Sequence, residues 1–174
     1  MQNRIELIKF FGEQGFKKAA EVGVFDGRFS EVIVQTIPDI ELLSVDSWAG
    51  KILPKCQIAR DRLAPYPNVT IAHAASVEHA KTIKDESLDF IFIDAEHSYK
   101  SVVEDIAAWV GKVKIGGYLS GHNYYLTRTG NTGVIRAVDE FVAEHGYKLQ
   151  LTDYDRHNPV RDDRQQCWYF KKDH

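Results

Sequence analysis

The run Leu88-Asp-Phe-Ile-Phe-Ile93 constrains this chain more than any other segment. Apart from Asp89 it is apolar throughout, so side chains on both faces of the strand must leave water, and each face needs a covering layer. The flanking sequence supplies such layers. Val102, Val103, Ile106, Trp109 and Val110 follow at helical period, and Phe29, Val32 and Ile33 follow an earlier apolar run, Lys18–Gly23, in the same way. A lead-in helix is expected over residues 3–12, where Ile5, Ile8 and Phe11 share a face before Gly12 and Gly15. Further strands are expected at Glu41–Asp46, Asn68–His73 and Val113–Gly121, the last with Gly116-Gly117 as a kink or bulge at its start. Pro38 ends the helix after the first strand, and Pro54 starts one that runs to Leu63. Ser76 is an expected N-cap for a helix carrying Val77, Ala80 and Ile83. Gly111 is expected to close the helix after the central strand, and Gly146 the stripe Val134, Val138, Phe141, Val142. Tyr147, Leu149 and Leu151 alternate, Cys167–Phe170 is a last strand, and with no helix between them these two should pair antiparallel. The sum is a doubly wound α/β sheet of about seven strands, mostly parallel, ending in an antiparallel hairpin.

The 174 residues have the length of one domain. With 22 Lys and Arg against 25 Asp and Glu, the net charge of −3 argues against an electrostatic grip on nucleic acid or an anionic membrane. Cys56 and Cys167 stand far apart in no CxxC spacing, so neither a zinc site nor a disulfide framework is indicated. The first ten residues mix charges into their apolar positions unlike a signal peptide, and no apolar run approaches the roughly 18 residues of a membrane span. A cytoplasmic protein is the expectation.

Ligands of open α/β sheets bind outside the carboxyl ends of the strands. The first strand runs into Glu21-Val-Gly23-Val-Phe25-Asp-Gly27. Gly23 there allows a tight turn and close backbone approach to a ligand, and Gly27 lets the following helix pack near the strand, although two glycines can equally be plain turn residues. As a dinucleotide fingerprint the segment fails at Phe25, where glycine is required. Asp46 ends the second strand 19 residues after Gly27, close to the interval of about 20 at which an acid accepts hydrogen bonds from a nucleoside ribose. Trp48 is a candidate to border an adenine, with burial under a loop as the competing reading. Ala75-Ser76 could meet the adenine edge, cap a helix, or do both. The fourth and fifth strands end in Asp94-Ala-Glu96-His97-Ser98-Tyr99 and Gly121-His122-Asn123-Tyr124. Adjacent central strands would bring a carboxylate, two imidazoles and an amide to one pocket, a combination harder to dismiss than any single cap or turn residue. His73, His79, His145 and His157 read as structural or solvent-facing.

Together Glu21-x-Gly23-x-x-x-Gly27, the acid ending the second strand, Phe90-Ile-Phe-Ile-Asp94-x-x-His97-x-Tyr99, and Gly116-Gly117 ahead of Gly121-His122-Asn123-Tyr124 resemble the class I S-adenosylmethionine-dependent methyltransferases. More narrowly they are similar to the small-molecule, O-methyltransferase-like branch whose fourth strand ends in Asp-x-x-His-x-Tyr. The likeness runs from about Lys18 to the last strand and includes Gly133-Val-Ile-Arg-Ala-Val138. It implies a Rossmann-like domain over residues 1–174, S-adenosyl-L-methionine as cofactor, and methyl transfer to a small-molecule hydroxyl of a sugar or another secondary metabolite. Glu21 and Gly23 would border the methionine part, Asp46 would hold the ribose hydroxyls, Trp48 and Ser76 would flank the adenine, and Phe25, Gly27 and Ser47 complete the cofactor-binding set. Asp94 would face the sulfonium and the acceptor. Related enzymes, including the catechol type, hold a divalent metal ion with the acid ending strand four and an acidic-polar pair ending strand five. The corresponding residues here are Asp94, His122 and Asn123, and the histidine shifts this set away from magnesium toward a softer metal or none. In the metal-free form His122 or His97 is the general base beside Asp94. Asn123-Tyr124 lacks the prolines of the Asn-Pro-Pro-Tyr motif of amino-methylating DNA enzymes.

Two other readings remain at this level: a noncatalytic cofactor-binding or assembly module with the same fold, suggested by the atypical His122, and a nicotinamide-dependent oxidoreductase, opposed by the missing pyrophosphate glycine. The acceptor wall is expected from residues 50–53, 124–130 and 153–165, with Tyr124, Tyr125 and Arg128 facing the acceptor. The chain leaves no cap domain, so an open pocket is expected unless a homodimer closes it, the lead-in helix or residues 153–165 reaching across.

Overall fold

The computed structural model describes residues 1–126 and 133–174. A seven-stranded sheet forms in the order β3-β2-β1-β4-β5-β7-β6. Its strands are β1 (Lys18–Val22), β2 (Glu41–Asp46), β3 (Val69–His73), β4 (Leu88–Ile93), β5 (Val113–Gly121), β6 (Gln150–Leu151) and β7 (Trp168–Lys171). The first five are parallel, β7 runs antiparallel to β5, and β6 pairs antiparallel with β7. The chain therefore moves outward from β1 to β3, crosses back to β4, and proceeds the other way. The reversal lies between β1 and β4, the place where such sheets bind ligands.

Helices α1 (Arg4–Glu13) and α2 (Arg28–Thr36) cover one face, and α3 (Leu53–Leu63) continues that layer; α4 (Ser76–Ala80), α5 (Tyr99–Trp109) and α6 (Gly133–His145) cover the other. The period of two decides which residue meets which layer. Phe90 and Phe92 of β4 pack with Leu7, Ile8 and Phe11 of α1 and Phe29 and Ile33 of α2. Ile91 and Ile93 pack with Val102, Ile106 and Trp109 of α5 and Val138 of α6. The apolar run that demanded two covers has both. A third, smaller cluster of Val24, Trp48, Cys56, Ala59 and Leu63 lies under α3.

At the Gly116-Gly117 kink the pairing register shifts between Leu88 and Phe90, and Gly116 has φ +89°. A Cβ on Gly117 would stand 2.3 Å from the Asp89 carbonyl oxygen, so the bulge needs a residue without one.

Several expectations are corrected. Ser76 does not cap α4: Ala75 is the N-cap, and the Ser76 hydroxyl instead donates to Asp105 and accepts from the Trp109 indole N–H. Gly111 does not stop α5 in a left-handed cap, because a 3-10 turn over Val110–Lys112 carries the chain directly into β5. Strand β6 is only two residues long. Tyr147 stays outside it, its ring stacked between Phe170 at 4.7 Å and His174 at 4.6 Å. The lead-in helix buries Leu7, Ile8 and Phe11 against its own sheet. Residues 153–165 are tied to the same chain, with the Asp153 N–H on the Met1 carbonyl at 2.8 Å and Asn3 Nδ2 donating to Asp155 at 2.9 Å. No helix among the described residues is long and apolar enough to cross a membrane.

Gly23 is the tightest point at the sheet reversal. A Cβ there would lie 2.2 Å from the Asp94 carbonyl oxygen and 2.6 Å from the Ala95 Cα, at φ +95°. Gly23→Ala should cost at least about 2 kcal/mol in urea unfolding. Gly15→Ala, also at positive φ but with nothing within 4 Å, should cost only about 1–2 kcal/mol.

Candidate active site

The carboxyl ends of β1, β2 and β4 open into a cleft of about 450 Å³ lined by Gly23, Phe25, Asp46, Ser47, Ser76 and Asp94, with Glu96, Ser101, Glu104 and Asp105 on the α5 side. Five carboxylates line it, and among the described residues no Lys or Arg does. Helix α5 begins where Ser98 caps it by accepting from the Ser101 N–H.

Asp46 organises the loop after β1. Its Oδ2 accepts from the Val24 and Phe25 N–H groups at 2.9 and 2.8 Å, and its Oδ1 accepts from the Trp48 N–H at 2.7 Å. An ionised carboxylate has about four acceptor sites, so capacity remains for a ligand. Trp48 corrects an expectation. Its ring is fully buried, absent from the cleft lining, and donates Nε1–H to the Phe25 carbonyl at 2.6 Å. It supports the loop from below and presents no face to an adenine. Gly23, which lines the cleft, also permits close approach to the end of β4, and Gly27, as N-cap of α2, makes room for Ala59 and Leu63 of α3.

Strand parity places the reacting end. Asp94 continues the face of Phe90 and Phe92, and His122 that of Tyr118, so both project toward α1 and α2. Asp94 Oδ2 lies 3.4 Å from His122 Nδ1 and 3.5 Å from Arg4 Nη1, while its Oδ1 lies 3.4 Å from His97 Nε2. Burial alone would raise the Asp94 carboxyl; His122, His97 and Arg4 overcome it and hold the group ionised, well below the usual carboxylate range. The two imidazoles differ in access, the His122 side chain being 4% exposed and that of His97 46%. The His122 Nε2 and Asn123 Oδ1 atoms are buried without a hydrogen-bond partner among the described residues.

A metal ion on Asp94, His122 and Asn123 finds no support in the structure. Among the described residues no three His, Cys, Asp or Glu side chains are arranged to hold a metal ion, and the Arg4 guanidinium shares the Asp94 oxygen that faces His122, where it would repel a cation. Of the expected wall residues, Tyr124 is tethered to α6 through its hydroxyl, which donates to Asp139 at 2.7 Å. Arg128 and most of residues 124–130 lie outside the described residues.

Arg4 and Asp105 escaped the sequence reading, yet both carried a signal. Arg4 shares the stripe of Leu7, Ile8 and Phe11, and Asp105 that of Val102, Ile106 and Trp109, each at i, i+3, i+4, i+7. A charge on an apolar stripe must find a partner. Asp105 finds Ser76, and burial nonetheless raises its carboxyl.

Glu21 stands behind the cleft, 1% exposed, accepting from Ser30, which also bonds Ser44. Burial raises its pKa from 4.5 to about 8, against the opposing Ser30 hydrogen bond. The folded state therefore holds a proton that the unfolded state releases first. Its contribution to stability is fully present below the unfolded value and is lost as pH rises through about 8. Urea unfolding between about pH 5 and 8 should show stability falling with pH by a few kcal/mol, and Glu21→Gln should flatten that slope.

A sequence model of the family described as a methyltransferase domain matches residues 20–124. No curated protein matches the sequence. Among solved structures, an O-methyltransferase from Bacillus cereus in complex with S-adenosylhomocysteine superposes with TM-score 0.73 at 17% identity, covering 97% of this chain and 80% of that one. An O-methyltransferase from Streptomyces achromogenes involved in tomaymycin synthesis, solved with S-adenosylmethionine, gives 0.75 at 15% identity over 97% and 79%. A Podospora anserina methyltransferase bound to S-adenosylhomocysteine gives 0.70 at 16% identity over 97% and 77%. These likenesses concern the fold, whereas the sequence model spans more than half of the chain, from β1 through the end of β5, and with it the chain belongs to the methyltransferase-domain family.

Proposed function

We propose that this protein transfers the methyl group of S-adenosylmethionine to a small-molecule hydroxyl. The observation that carries the reading is the charge of the cleft: it stands at the sheet reversal and is lined by Asp46, Asp94, Glu96, Glu104 and Asp105, with no basic residue among the described ones. A ligand bearing a sulfonium and an ammonium is attracted there, whereas the pyrophosphate of a nicotinamide dinucleotide would be repelled. The neighbours solved with S-adenosylmethionine or S-adenosylhomocysteine support the same cofactor. The acidic lining and the uncharged Ser47 and Ser76 suit its ribose and adenine ends, with Asp46 offering its remaining acceptor capacity to the ribose hydroxyls.

When bound, the cofactor supplies a methyl group on a sulfur that leaves readily. The protein's tasks are to align an acceptor and take its proton. We assign the proton to His97. Asp94 is ionised and accepts from His97 Nε2–H, which leaves the Nδ1 lone pair on an exposed ring able to face a hydroxyl. With the methyl donor bound, His97 Nδ1 would take the proton of the acceptor hydroxyl as that oxygen is methylated, and Asp94 would stabilise the resulting imidazolium. His122, buried on the other carboxylate oxygen, braces Asp94. No step passes through a metal ion.

Calorimetric titration with S-adenosylhomocysteine should show binding; a folded sample that does not bind removes the cofactor assignment. Asp46→Ala should weaken that affinity at least about tenfold with the far-UV spectrum retained, and an unchanged affinity would end the ribose role. His97→Ala should lower radiolabelled methyl transfer to a panel of phenols, diols and sugars by about 10²–10⁴ while leaving cofactor affinity in place. Thermal melts should rise with S-adenosylmethionine and stay put with NAD.

A further inference from the structure

Arg4 stands at the start of α1 on the stripe that also carries Leu7, Ile8 and Phe11, so docking that helix buries its side chain to 11% exposure. Its guanidinium meets three partners. Nη1 lies 3.5 Å from Asp94 Oδ2, Nε donates to Asp163 Oδ1 at 2.5 Å, and the plane covers the Phe29 ring at 4.5 Å. Phe29 in turn packs on Phe92, two residues before Asp94, with ring centroids 4.5 Å apart. A planar fork with a carboxylate on two edges and a ring against one face has little freedom to turn. Arg4 is also, among the described residues, the one Lys or Arg paired with either Asp94 or Asp163.

We propose that Arg4 is a positioning residue of the transfer reaction: it fixes the Asp94 carboxylate so that His97 keeps its proton on Nε2, and it fastens residues 153–164 to the same end of the sheet. The proposal rests on the methyl-transfer reading of Asp94 and His97. Oδ2 is held from two sides, by Arg4 and by His122, which fixes the carboxylate plane and leaves Oδ1 to His97 alone. Through Asp163 the same guanidinium reaches the 3-10 turn Asp162–Arg164, in the segment that Met1 and Asn3 already hold by backbone and side-chain hydrogen bonds. Asn3 is at the same time the N-cap of α1, accepting from the Ile5 and Glu6 N–H groups. The first four residues thus form a strap whose charged end lies on the reacting carboxylate.

Long-range proton–nitrogen NMR on the full chain reads the His97 tautomer without any acceptor, and amide hydrogen exchange reads residues 153–164. The wild type should show the Nε2–H tautomer. Arg4→Met should populate both tautomers and speed exchange in 153–164 at least about tenfold, and Arg4→Lys, which keeps charge but not the fork, should restore neither completely. Asp163→Asn should speed exchange in that segment and leave the His97 tautomer in place. A folded Arg4→Met with the wild-type tautomer overturns the proposal; should that variant not fold, an Arg4→Lys protein with wild-type tautomer and exchange does so. S-adenosylhomocysteine calorimetry on the wild type separates the two readings. Absence of binding removes the cofactor assignment, whereas the tautomer in the free protein decides Arg4 by itself.

Discussion

The close approach of β1 and β4 is the contact on which the rest of the site depends. At Gly23 the absence of a side chain lets the first loop lie directly on the backbone of Asp94 and Ala95, while the Asp94 N–H bonds to the Val22 carbonyl at 2.7 Å and the Gly23 N–H to the Val45 carbonyl at 2.9 Å. Three strands are thereby locked at the level where the sheet reverses direction. The cleft, the ionised Asp94 and the loop pinned by Asp46 are consequences of that junction. Any Cβ at position 23 would part the strands where their ends must converge.

Burial of charge is the second organising theme. Glu21 and Asp105 are buried and Asp94 is partly so, but their surroundings separate them chemically. Glu21 has serine hydroxyls for neighbours and is kept protonated by desolvation, whereas Asp94 has two imidazoles and a guanidinium and stays charged. A neutral acid behind the cleft and a charged one at its end is an arrangement suited to a cationic ligand, because it concentrates negative potential at one place.

Much of this was legible in the residues. Strand β4 announced its two covers, Gly116-Gly117 announced the bulge, and the residues after β4 and β5 announced the cluster of His97 and His122 about Asp94, although neither imidazole lines the cleft itself. Trp48 misled because an aromatic beside a strand end can point into the cleft or beneath it, and sequence distance does not distinguish the two; Ser76 does line the cleft and failed only as a helix cap. Trp48 turned under the loop at φ +39°, and Ser76 joined Asp105 and Trp109. The metal set failed similarly, because Asp94, His122 and Asn123 come from adjacent strand ends while the competing cation, Arg4, comes from some ninety residues away in the chain.

By itself the sequence determined the layers and the parity. The two-residue period of β4 and β5 is local physics, and it commits Phe90, Phe92, Asp94 and His122 to one face whatever packs there. Which partner meets them was decided only by the tertiary structure. The docking of α1 brings Arg4 to Asp94 and Asp163, and the burial of α5 brings Asp105 to Ser76. Contacts of that kind depend on how whole elements settle against one another, and no short stretch of the chain contains that information.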